Sequence, residues 1–152
     1  MSATIEVQVA CPTPRLASRQ KVQAWAGAVL CDHPGQHEVT VRIVDETEGA
    51  LLNQTFRQRD RATNVLSFPF ETPPAPDTPK FGDIAVCAPV VQREALEQGK
   101  TLEAHCAHLV VHGALHLLGY DHQKPEDAAQ MELREVEILA RLGFSDPYAS
   151  DS

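Results

Sequence analysis

No apolar run in the chain approaches the roughly 18 to 20 residues that a membrane-spanning helix needs. The N-terminal Met-Ser-Ala-Thr-Ile-Glu-Val-Gln has neither a basic start nor an apolar signal core. A cytoplasmic protein without a membrane partner is the expectation. Cysteine is scarce, and the four present, Cys11, Cys31, Cys87 and Cys106, form no C-x-x-C pair or finger spacing. That excludes a disulfide framework or a cysteine-based zinc module and leaves reduced, small, mostly buried thiols. Basic charge is also short, with 13 Lys and Arg against 21 Asp and Glu, a net charge of −8. General polyanion binding rests on clustered cations, so DNA binding is not expected. The deficit is uneven: residues 120–138 carry six acidic and two basic side chains, whereas residues 52–66 carry Arg57, Arg59 and Arg61 against Asp60 alone. A local basic patch survives the global sign.

What remains is enough for a core. At 152 residues and 43% hydrophobic content, residues 1–152 are expected to form a single domain. Residues 5–10 and 38–44 alternate apolar and polar positions and read as strands, the second with Val39, Val41 and Ile43 on one face. Residues 64–70 and 81–87, rich in Val, Ile and Phe, read as two more strands. Helical spacing covers residues 13–30, a segment capped by Asp45 and running to about Arg57 with Leu52 and Phe56 stacked, and residues 89–99, 102–118 and about 125–142. Residues 72–79 hold four prolines and form a loop, either a plain connector or one that overhangs a site. The fold class is α+β, an α/β-type single domain with a small mixed sheet of about four strands packed with about five helices. The helix over residues 102–118 is apolar around most of its circumference, which makes it the central buried helix. On the last helix, Glu132, Glu135 and Glu137 read as a solvated face.

That central helix carries His105, His108, His112 and His116 on one stripe. His112 and His116 lie about 40° apart on one face and one turn apart, so both imidazoles can reach one ion. Gly119 follows where a helix commonly ends in the left-handed conformation, and the chain then brings His122 within reach as a third nitrogen ligand. Three protein ligands leave one tetrahedral position open, the arrangement of a catalytic zinc site. A pair of His108 and His112 is also allowed by geometry, but only His112 and His116 have the turn glycine and a further histidine downstream. His105 lies about 10 Å up the axis from His112. His108 is either a partner that fixes a ligand's tautomer or a plain buried histidine.

The position after the first histidine decides against one chemistry. Zinc peptidases with this spacing place their catalytic glutamate there, a proton-transfer group worth roughly 10² to 10⁴ in rate. Here the residue is Gly113. A zinc ion on three neutral imidazoles keeps its full charge and lowers the pKa of bound water to about 7 without a protein base. A phosphodiester transition state spreads negative charge over phosphoryl oxygens, which a metal and a guanidinium together stabilise.

His112-Gly-Ala-Leu-His116-Leu-Leu-Gly119-Tyr120-Asp121-His122 is similar to the signature of the YbeY family, bacterial metal-dependent endoribonucleases of rRNA maturation and ribosome quality control. Leu52-Asn53, Phe56-Arg57, Asp60, Thr63 to Pro69, Gly82-Asp83-Ile84, the segment from Ala104 to Val111, and Phe144 to Tyr148 resemble the family's other blocks in order. The likeness covers roughly residues 38–148. It implies one zinc ion per chain on His112, His116 and His122, a catalytic phosphate-binding arginine at Arg57, an rRNA precursor as RNA substrate, and the ribosome or a ribosomal protein as partner. Phe56 stands where the family usually has tyrosine, and Ala62 where it has proline. Without the resemblance, Arg57 reads as a cation at a helix C-terminus, worth a few tenths to about 1 kcal/mol. Asp83 either orients groups near the site or simply begins a strand. The leading expectation is a single-strand-specific, zinc-dependent endoribonuclease. The alternatives are a ribosome assembly factor with a mainly structural zinc, and a peptidase that lacks the usual glutamate.

Overall fold

The computed structural model describes residues 2–31, 33, 36–57, 63–68, 80–120 and 124–148. Strand β1 (Ser2–Val9) is followed by α1 (Arg19–Leu30), β2 (Gln36–Val44), α2 (Glu46–Arg57), β3 (Val65–Phe68), β4 (Lys80–Cys87), α3 (Ala88–Gln98), α4 (Leu102–Leu117) and α5 (Pro125–Arg141). The architecture is the expected α+β arrangement. The four strands lie in the order β1-β2-β4-β3, with β1 and β4 parallel to β2 and β3 antiparallel to β4. Val39, Val41 and Ile43 bury one face of β2, as their alternation requires. No helix among the described residues is long and apolar enough to cross a membrane.

Helix α4 is the centre of the core. It packs against β3 and β4, with α1 and α5 alongside, and Cys106, Ala107, Val110, Val111, Ala114 and Leu115 are inaccessible to solvent. A helix that is hydrophobic on nearly all sides has to be surrounded. Thr101 caps its start by accepting from the Ala104 amide at 3.1 Å. At its end Gly119 takes φ +102°, and the amides of Gly119 and Tyr120 return to the carbonyls of His116 and Leu115. This is the glycine stop read from the sequence, closed as a Schellman motif. A smaller cluster of Val44, Cys87 and Val90, with Leu52 against it, joins α2 and α3 to the end of the sheet. Asp45 caps α2 as expected, accepting from the Glu48 amide at 2.8 Å.

Two local expectations are corrected. Helix α1 begins at Arg19, not near residue 13, because Ser18 accepts from the Lys21 amide and Pro12 and Pro14 precede it. Its N-terminal neighbour Leu16 still joins the core from outside the helix. The cysteines are all free, but only Cys87 and Cys106 are buried and Cys31 is exposed. Burial pushes the Cys106 thiol up to about 12, so it is chemically inert at neutral pH. The proline-rich loop at residues 72–79 lies outside the described residues.

Candidate active site

Four histidines line one side of α4, and the tertiary structure divides them into two groups. His105 is buried and its Nε2 meets Glu94 of α3 at 2.9 Å, with Asn64 donating to the same carboxylate at 3.0 Å. His108, His112 and His116 run on toward the helix end, with the His112 and His116 rings adjoining at 4.9 Å between centroids and 79° between planes. Both are partly open to solvent. Two imidazoles one helical turn apart, on a helix packed against the sheet and its neighbouring helices, share a rigid backbone support.

A carboxylate lies against His112 and His108. Glu135 of α5 is fully buried, and its Oε2 meets His112 Nδ1 at 2.7 Å. Its Oε1 meets His108 Nε2 at 2.9 Å and accepts from the hydroxyl of Tyr148 in the C-terminal segment. Burial alone would raise this carboxyl's pKa; the hydrogen bonds from His108, His112 and Tyr148 overcome it and hold the group down to about 2. Glu135 is therefore an ionised acceptor at neutral pH. Burial, and then the neighbouring Glu135 carboxylate, push the Tyr148 phenol up, so Tyr148 remains a donor. With Nδ1 of His112 directed at a carboxylate, the ring nitrogen left to take a metal ion would be the opposite one, Nε2. An imidazole nitrogen presented in this way fits a borderline ion such as zinc.

A family model described as Endoribonuclease YbeY matches residues 11–143. The chain belongs to the YbeY endoribonuclease family. It is 52% identical over 150 residues to the Endoribonuclease YbeY of Stutzerimonas stutzeri, an alignment covering 97% of this chain and 94% of that protein. Its structure is similar to the solution structure of TM1509 from Thermotoga maritima, with a TM-score of 0.62 and 28% identity over 97% of this chain and 100% of that one. The match to the YbeY model begins well before residue 38, where the motif resemblance starts, and stops just ahead of the Phe144 to Tyr148 block. The family is one of hydrolases acting on RNA.

His112 and His116 stand together, whereas His122 lies outside the described residues. Among the described residues no group of three or more His, Cys, Asp or Glu side chains is arranged to hold a metal ion. Arg57 is the last residue of α2, but its side chain, like Arg59 and Arg61, lies outside the described residues. Asp83 is exposed on β4. His108 reaches the His112 ring through a shared carboxylate. Glu135 is the principal correction: it was expected on a solvated face and is fully buried. The signal was present in its spacing, because Met131, Glu135, Ile138 and Leu139 follow one another at helical intervals on the apolar side of α5.

Gly113 also acquires a physical meaning. A Cβ there would stand 3.1 Å from Ile84 Cγ2, 3.1 Å from Ser67 Oγ and 3.3 Å from Val65 Cγ2. The Ser67 hydroxyl donates to the Gly113 carbonyl at 3.0 Å. At this glycine α4 lies directly against side chains of β3 and β4, and even the first side-chain carbon of a glutamate would meet them.

His105 yields a pH prediction. Burial holds its pKa below the ordinary histidine value, against the opposing hydrogen bond and charge of Glu94 and aided by Lys100 and His108. The folded state thus prefers neutral His105. As pH falls below the unfolded value of about 6.5, the unfolded chain takes up the proton first, and stability drops until the folded pKa is passed. Denaturant midpoints measured from about pH 7 to 5 should fall, and the His105 ring should titrate below an unperturbed histidine by NMR. A midpoint at or above that of free histidine would mean that Glu94, not burial, dominates.

Proposed function

We propose that residues 1–152 act as one zinc-dependent, single-strand-specific endoribonuclease domain in rRNA 3′-end maturation and ribosome quality control. Phosphodiester hydrolysis takes place at a site formed by His112, His116 and His122, with one zinc ion per chain. The observation that carries this reading is the adjoining pair of His112 and His116 at the end of a buried helix, in a chain of the YbeY endoribonuclease family. Bound there, zinc supplies a Lewis acid for a phosphoryl oxygen and lowers the pKa of water.

The chain's own groups do the positioning. The packing of α4 fixes the spacing of His112 and His116, and Glu135 holds the His112 ring by its Nδ1. Arg57 binds the non-bridging phosphate oxygens, where a planar guanidinium matches two oxygens at once and opposes the charge that develops on them. Gly113 contributes no carboxylate, which favours a phosphodiester over a peptide as substrate. The substrate is an rRNA precursor. A net charge of −8 keeps affinity for free RNA low, so the ribosome or a ribosomal protein in the cytoplasm delivers the target strand.

Arg57→Ala tests the reading. Cleavage of an rRNA precursor should fall by about 10² to 10³, the range for losing one preorganised charge-stabilising donor, while zinc content is unchanged. Wild-type cleavage by that variant would remove Arg57 from the chemistry.

A further inference from the structure

Glu135 occupies a position that its surroundings do not explain by folding alone. It replaces an apolar residue on the buried stripe of α5, between Met131 and Ile138, and a buried carboxylate is costly unless it is fully paired. Its partners are specific. Oε2 faces His112 Nδ1, and Oε1 faces both His108 Nε2 and the Tyr148 hydroxyl. Nδ1 of His108 is buried without a hydrogen-bond partner. An N–H there would be orphaned, which costs more than an unused lone pair, so His108 carries its proton on Nε2 and donates it to Glu135. Three donors then converge on one carboxylate, and the donor from His112 is its Nδ1–H.

We infer that Glu135 is the positioning residue of the metal site, fixing His112 in the Nδ1–H tautomer through Oε2 and tying that ring to His108 and Tyr148 through Oε1. This rests on the zinc reading of His112, His116 and His122. Glu135 itself touches neither metal nor substrate. It acts by presenting Nε2 of His112 in one orientation before any ion arrives, and by raising the basicity of that ring as hydrogen-bonded carboxylates do in histidine metal sites. The same carboxylate links the C-terminal segment to the site, since Tyr148 also meets His108 Nε2 at 3.1 Å and packs edge-on against its ring.

The test compares the full-length wild type with Glu135→Gln, measuring zinc affinity by competition with a chromogenic chelator and melting of the zinc-free proteins. Wild type should bind one zinc ion, and the variant should bind it about 10- to 100-fold more weakly, the usual effect of removing an outer partner of a ligand. A carboxylate that merely docks α5 would lower the melting temperature of the zinc-free protein without changing affinity in the folded state. Nitrogen-15 spectra of the zinc-free wild type at about pH 8 should show neutral His112 protonated on Nδ1. Should Glu135→Gln not fold, that tautomer decides alone. An affinity within about threefold of wild type, or a wild-type His112 protonated on Nε2, overturns the inference. A wild type that binds no zinc overturns it together with the zinc reading, whereas a zinc-binding wild type with an equally tight variant overturns the role of Glu135 only.

Discussion

Gly113→Glu is expected to destabilise the protein severely and not to turn it into a peptidase. Even an alanine at this position brings its Cβ to 3.1 Å from Ile84 and Ser67 and 3.3 Å from Val65. Two of those neighbours are β-branched and stiff at χ1, and all three stand on a sheet that packs against α4. Overpacking of this kind costs about 1 to 3 kcal/mol, against a gain of about 1 kcal/mol for replacing a helical glycine by alanine. Gly113→Ala should therefore lose about 1 kcal/mol net in urea denaturation. Glutamate adds a carboxylate to the same filled space, and the expected loss is about 4 kcal/mol or more, a large part of the stability of an ordinary domain. Far-UV circular dichroism and the denaturant midpoint read the outcome. A variant as stable as wild type would mean that α4 does not press on the sheet at this residue.

His116→Ala is expected to abolish both zinc retention and rRNA-precursor cleavage. His116 lies in the last turn of α4, beside His112, and alanine is the best helix former, so the helix itself persists. Losing an outer partner of a ligand already weakens metal binding about 10- to 100-fold, and losing a ligand should exceed that. The expected result is about one zinc per wild-type chain and none per variant chain after identical purification, with cleavage reduced by at least about 10²-fold. Equal cleavage by the two preparations would sink the metalloenzyme reading, because the activity would then belong to a contaminant. The variant is the counterpart of Arg57→Ala, which should keep the metal and lose the cleavage. Together they separate loss of the ion from loss of phosphate binding.

How much of this could be read without coordinates depends on how far apart in the chain the deciding contacts lie. The helix boundaries at Thr101 and Gly119, the buried face of β2 and the one-turn spacing of His112 and His116 all follow from patterns within a few residues, where helix and strand periods translate sequence into direction. The family resemblance rested on the same kind of short motif, and the YbeY match agrees with it. The start of α1 was misplaced because a helical apolar pattern extended past the point where Ser18 caps the backbone. Pattern alone does not say which turn is the first.

Glu135 and Gly113 belong to the other class. Glu135 bonds to partners 23 and 27 residues earlier in the chain, and its acidic neighbours Glu132 and Glu137 made a solvated face the natural reading of the local sequence. Only the docking of α5 on α4 turns that side chain inward. Gly113 was legible as a missing carboxylate, but its cause is the approach of Ser67 across 46 residues of chain. Residue types at short spacing thus settled that this protein has a paired-histidine helix and which family it resembles. Long-range packing settled which carboxylate holds a histidine and why no glutamate fits beside it, because burial and hydrogen bonding between distant segments have no period that a local sequence can display.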